Sequence, residues 1–78
     1  MIPPLTSLLA FEAIARRQSF ALAASELHLT PSAVSHQIDR LRAITADALF
    51  VKSGRGIVAT ARALGLAQQA RPLLEQLQ

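Results

Sequence analysis

The sequence predicts one mainly α domain in which a short β-hairpin interrupts a run of helices. Apolar residues recur at helical spacing over most of the chain. Hydrophobic residues make up 51% of the composition but aromatic residues only 4%, so Leu, Ala, Ile and Val must build the core, which suits small helices better than a β-sandwich. A turn-rich segment, Ser53-Gly54-Arg55-Gly56, separates two short β-prone runs. A length of 78 residues leaves room for one small domain, and a charged fraction of 17% is too low for a disordered tail.

Pro3 and Pro4 precede Leu5, Thr6 and Ser7, after which Leu8, Phe11, Ile14 and Ala15 mark one face of a first helix ending near Arg17. Ser19 is a good N-cap for a second, short helix, in which Phe20, Ala23, Ala24 and Leu27 fall at i, i+3, i+4 and i+7. The Ala23-Ala24 pair lets another helix approach closely, and this helix is expected to end in His28 and Leu29. Thr30 then caps a third helix, expected over residues 31–44. Pro31 occupies its first position, where the missing N–H costs nothing. Val34, Ile38 and Leu41 form its buried stripe, which turns Ser32, Ser35, His36, Asp39 and Arg40 outward. The turn between Leu27 and Pro31 has helix-turn-helix length.

After Ile44 the pattern changes. Leu49 to Lys52 and Ile57 to Ala59 read as the strands of a hairpin with Arg55 at its tip. Thr60 caps a final helix in which Ala63, Leu66, Ala70, Leu73 and Leu77 step by 3, 4, 3, 4, the spacing of a coiled-coil seam. Pro72 lies inside that helix and removes the bond to the carbonyl of Gln68, so a kink is expected there.

The formal charge is +3 and the isoelectric point near 11.2. A pI above ~9 is the electrostatic footprint of nucleic-acid binders, although many small basic domains bind none. Placement decides. Arg16 and Arg17 end the first helix, Arg40 and Arg42 follow the polar face of the third, and Lys52 and Arg55 sit on the hairpin. Short side chains that both donate and accept hydrogen bonds suit base edges in a major groove. Cations on a glycine-flanked loop suit phosphates or a narrow minor groove. Each feature alone reads as solvated surface. Helix-turn-helix, hairpin and basic loop in that order describe a winged helix.

Other functions are poorly served. The absence of Cys removes disulfide scaffolds, thiolate zinc sites and thiol nucleophiles. Uncharged stretches such as Met1 to Phe11 and Gln18 to Ser25 fall short of the ~18 apolar residues of a membrane span. No charged segment precedes an apolar run as in a signal peptide, so a soluble, cytoplasmic chain is expected. Ser32, His36 and Asp39 at i, i+4 and i+7 mimic a hydrolytic triad, but an exposed helix face supplies neither an oxyanion hole nor a pocket. His28 and His36 are too far apart to chelate a metal from one helix. Neither enzymatic activity, cofactor nor metal is expected.

The stretch from Ser19 to Thr30, followed by Ala33-Val34-Ser35-His36-Gln37-Ile38 and Leu41, resembles the N-terminal DNA-binding domain of LysR-type transcriptional regulators. Leu49-Phe50 and the Ser53-Gly54-Arg55-Gly56 wing fit the same pattern, and the resemblance covers essentially the whole chain. It implies a bacterial regulator domain that binds double-stranded promoter DNA as a homodimer. The division is then a winged helix-turn-helix over residues 1–60 and the start of a linker and dimerisation helix over 61–78. Base contacts carry over to Thr30, Pro31, Ser32, Ser35 and His36, and the wing contact to Arg55, with Arg40 and Lys52 beside them. Ala63, Leu66, Ala70, Leu73 and Leu77 become the dimer seam. The effector-sensing domain of such regulators is absent, which implies an isolated or truncated DNA-binding domain.

Several positions depart from the family pattern. Arg42 stands in place of a common Glu, Ala46 in place of a Gly before the Leu-Phe pair, and Pro31 in place of a common Gln. The usual Leu-Thr-x-x-Gly reads Ala59-Thr60-Ala61-Arg62-Ala63. Ala46 is expected to meet a positive φ at a cost, Pro31 to remove a contact, and Asp39, at an often basic or neutral position, to weaken phosphate binding locally. The competing interpretation is a helical protein interaction module built on the seam, with the third helix only a solvated surface.

Overall fold

A computed structural model describes residues 5–77; the expected lead-in at Pro3 and Pro4 lies outside them. Its elements are α1 (Leu5–Arg17), α2 (Phe20–Leu27), α3 (Pro31–Thr45), β1 (Phe50–Ser53), β2 (Gly56–Ala59) and α4 (Ala61–Leu77). Local chemistry sets most of these boundaries. The Ser19 hydroxyl accepts the Leu22 N–H, the Thr30 hydroxyl accepts that of Ala33 and the Thr60 hydroxyl that of Ala63, each at 3.1 Å. Every one relieves an amide that the first turn of a helix leaves unpaired.

Helix α2 stops one to two residues earlier than expected. His28 turns into the left-handed region at φ 58°, and the Leu29 N–H reaches back to the Ala24 carbonyl at 2.9 Å, closing the helix end. Helix α3 ends in the same way at Ala46, with φ 55° and ψ 36°. The backbone there adopts the conformation that the missing glycine would favour.

Helix α1 packs against α2, α3 and α4, so it is buried on more than one side. The single stripe read from the sequence is therefore too narrow: Phe11 and Ile14 are buried as expected, and so are Ala10 and Ala13. Ala23 and Ala24 of α2, and Val34, Ile38 and Leu41 of α3, complete the helical core. Ser7 is also fully buried, and its hydroxyl donates to Gln37 Oε1 at 2.7 Å, a polar tie between α1 and α3.

Strands β1 and β2 pair antiparallel, Phe50 with Ala59 through Ser53 with Gly56. Gly54, at φ 60°, is the first of the two turn residues, and Arg55 has no positive φ, the pattern of a II′ hairpin turn. Leu49 precedes β1 at φ 69°, and the Asp47 carboxylate accepts its N–H at 2.7 Å. That bend sends the Leu49 side chain fully into the core. Phe50 follows it inward, with its ring 5.6 Å from Phe11 and 6.0 Å from Phe20. The wing is thereby fastened to the helices at its base.

Helix α4 continues through Pro72 to Leu77. Pro72 and Gln68 are both exposed, so water can bond the carbonyl that the proline leaves unpaired. The face of α4 turned to the domain is Ala63, Ala67 and Leu74. This corrects one seam assignment. Ala63 is fully buried inside its own domain, because its small side chain permits close packing there, and it has no surface left for a partner. Leu66 and Leu73 stay 38% and 64% exposed, Ala70 is half-buried, and the Leu77 side chain lies outside the described residues. None of the described helices is long and apolar enough to cross a membrane.

Candidate nucleic-acid interface

Helices α2 and α3 pack against each other across their short turn. The buried stripe Val34, Ile38 and Leu41 fixes the rotation of α3, and every residue expected on its outer face is exposed: Ser32, Ser35, His36, Asp39 and Arg40. Thr30 and Pro31, at the start of α3, are exposed as well. Thr30 also has a structural duty, since its oxygen caps the helix; the hydroxyl hydrogen remains free to donate.

Lys52 and Arg55 are exposed on the wing. Two-residue closure at Gly54-Arg55 projects the arginine from the tip, with no neighbouring side chain within 4 Å of where a Gly54 Cβ would stand. Packing of Leu49 and Phe50 anchors the base of the wing in the same core that holds α1, α2 and α3.

Electrostatics separate the arginines that sequence alone grouped together. Arg16 pairs with Glu12 at 2.9 Å and with Glu26, and Arg17 pairs with Glu26 at 2.8 Å. These hydrogen bonds hold the Glu26 carboxyl down to about 2, with Arg16 the largest cause, and push the Arg16 guanidinium above its ordinary range. Arg42 is likewise engaged, donating to Asp39 at 3.0 Å and to the Ala48 carbonyl at 2.9 Å. Among the described residues, the cations outside any ion pair are Arg40, Lys52, Arg55 and Arg62. Arg62, exposed in the first turn of α4, was not singled out from the sequence. Its one signal was a cation just after the wing.

The Ser32, His36 and Asp39 series stays on the open outer face of α3. An apolar groove of about 270 Å³ lies elsewhere, between α1, α3 and α4, and none of the three lines it. Helix-turn-helix, hairpin and a following helix in that order define the class as a winged helix-turn-helix domain.

Residues 5–64 match the family model for bacterial regulatory helix-turn-helix proteins of the lysR family. The chain belongs to that family. It is 51% identical over 59 residues to the transcriptional regulator TrpI of Pseudomonas aeruginosa, a match spanning 76% of this chain and 20% of the relative. With the regulator DsdC of Escherichia coli it shares 56% identity over 50 residues, 64% of this chain and 16% of that one. The matched part is thus about a fifth of the length of such curated relatives. Among solved structures, the CbnR DNA-binding domain in complex with DNA superposes with a TM-score of 0.84 at 31% identity, covering 95% of this chain and 85% of that one. The BenM DNA-binding domain bound to catB site 1 DNA gives 0.87 at 28% identity over 95% and 82%.

Proposed function

We propose that this chain is the sequence-specific DNA-binding part of a cytoplasmic transcriptional regulator and carries no catalytic activity. Helix α3 enters the major groove, where Thr30, Pro31, Ser32, Ser35 and His36 meet base edges and Arg40 meets the backbone. Lys52 and Arg55 reach phosphates or the adjacent minor groove. The observation that carries this reading is the combination of an outward polar face on α3 with a wing whose cations have no acidic partner among the described residues. Two solved domains of the same fold, at 28% and 31% identity, are bound to DNA, which supports it.

Dimerisation follows from what the core leaves uncovered. Leu66, Ala70 and Leu73 border the groove between α1, α3 and α4, and this apolar surface stays exposed in a single copy. A second copy, paired through α4 about a twofold axis, covers it and places two recognition helices on one face of the duplex. The target is then an inverted repeat with half-sites a helical turn or more apart.

Titration of binding against salt tests the reading. The affinity for a site selected from random duplexes should fall linearly with log salt, by about 0.9 per phosphate neutralised. A binding partner recognised through the apolar surface alone would give a flat response, and that result would favour the interaction module. Replacing Leu66 and Leu73 with Lys should weaken binding to a full site far more than to a half-site. Equal losses on both would remove the dimer.

A further inference from the structure

We propose that Asp39 reads a cytosine in the major groove and that Arg42 is the residue that positions its carboxylate for that contact. The proposal rests on the DNA-binding reading above. Asp39 is the only acidic residue in α3, and it sits seven positions beyond Ser32 on the face that also carries Ser35 and His36. Its side chain is 67% exposed. Against the phosphates of any duplex a carboxylate is repelled, whatever the sequence, so at this place it lowers affinity unless a base offers it a donor.

Only one base offers such a donor unopposed. The cytosine edge presents its N4 amino group, whereas adenine sets its N6 amino group beside the N7 acceptor, which repels a carboxylate. Guanine presents two acceptors and thymine one acceptor and a methyl group. A carboxylate on a recognition helix therefore rejects three bases and accepts the fourth. At a rise of 1.5 Å per residue Asp39 lies about 10 Å beyond Ser32 along the helix, and with α3 laid along the groove at ~3.4 Å per base pair the cytosine belongs about three base pairs from the pair that Ser32 meets.

Arg42 supplies the order that such a contact needs. Its Nη1 donates to Asp39 Oδ1 at 3.0 Å, while its Nε donates to the carbonyl of Ala48, in the connection to the wing, at 2.9 Å. The guanidinium is held at two points on two segments, and it holds one carboxylate oxygen. Asp39 Oδ2 has no partner among the described residues and is the oxygen left for the base. The same guanidinium offsets part of the carboxylate charge near the phosphates.

The experiment is a selection of binding sites from random duplexes by the unmodified chain and by Asp39→Ala, Asp39→Asn, Arg42→Ala and the reversed pair Asp39→Arg with Arg42→Glu. The reversed pair retains an i,i+3 ion pair, so it separates recognition from folding, and circular dichroism checks each variant. The unmodified chain should select a C·G pair at the stated position. Asp39→Ala should lose that preference by about tenfold, equivalent to ~1.4 kcal/mol, while preferences at other positions hold. Asp39→Asn should move the preference to adenine, whose N6 and N7 match a carboxamide. Arg42→Ala should soften the cytosine preference alone, and the reversed pair should abolish it while steepening the salt dependence. Overturning the proposal takes one result: Asp39→Ala tightens binding equally to all sequences and leaves every base preference intact. Ser35→Ala and His36→Ala are put through the same selection as reference variants, and a loss of preference on either would leave the recognition-helix assignment standing without Asp39. If those variants also kept full preference, the assignment itself would fall.

Discussion

Ala46→Gly should stabilise this domain, although it removes a methyl group. Ala46 closes α3 at φ 55° and ψ 36°, a left-handed conformation that costs an L residue about 1–2 kcal/mol and glycine almost nothing. Glycine gives back about 0.4–1 kcal/mol through the greater freedom of the unfolded chain. The net gain is about 0.5–1 kcal/mol. Nothing offsets it in the folded state, because Ala46 is exposed, and its N–H bond to the Arg42 carbonyl at 2.8 Å belongs to the backbone and survives the change. For a domain of this size ~1 kcal/mol corresponds to ~4–8 °C in Tm, so a rise of about 2–8 °C is expected. Thermal unfolding followed by circular dichroism gives the midpoint, and urea unfolding with an unchanged slope confirms that stability alone has moved. Ala43→Gly is the matched control. It lies three residues earlier in the same helix, also exposed, but in helical backbone, where glycine costs about 0.5–1 kcal/mol. The two substitutions should shift Tm in opposite directions. A fall at both positions would refute the assignment of strain to Ala46.

The Glu26 carboxyl titrates at about 2 in the folded chain against an ordinary 4.5, so its contribution is complete above about pH 4.5 and is lost as the pH falls toward 2. Glu26→Gln should lower stability at pH 7 by up to ~1 kcal/mol, with less loss at pH 2.5, as read from urea midpoints at both pH values; equal losses would remove the ion-pair explanation. Ser7→Ala breaks the buried bond to Gln37 and should cost about 0.5–1.5 kcal/mol, and a double-mutant cycle with Gln37→Ala should show the two losses to be non-additive. Simple additivity would mean that the tie between α1 and α3 contributes nothing. Arg55→Ala should weaken DNA binding and reduce the salt slope by about one, as measured by fluorescence anisotropy; an unchanged affinity would take the wing tip out of the interface.

The order and type of the elements were legible in the sequence because their causes are local. Ser19, Thr30 and Thr60 cap helices through bonds that span three residues. Pro31 opens α3 and Gly54 closes the hairpin by their own backbone preferences. The outer face of α3 was legible for the same reason: once Val34, Ile38 and Leu41 are assigned to the core, helical geometry turns Ser32, Ser35, His36, Asp39 and Arg40 away from it.

Tertiary structure decided everything that depends on which element lies beside which. Residue spacing placed Ala63 in an outer seam, yet a helix with two apolar faces does not itself say which one meets its own domain, and packing of α4 on α1 and β2 leaves Ala63, Ala67 and Leu74 buried. Charge count grouped the arginines, whereas the docking of α1 on α2 brought Arg16 and Arg17 to Glu26 and left Arg40, Lys52 and Arg55 without acidic partners among the described residues. The left-handed backbone at Leu49 combines a local bond to Asp47 with a core that draws the Leu49 side chain in, and the second of these is tertiary. Caps, periodicities and turns are fixed by neighbours a few residues away in sequence. Face selection and the pairing of Arg16 and Arg17 with Glu26 depend on neighbours that only the packed chain brings together.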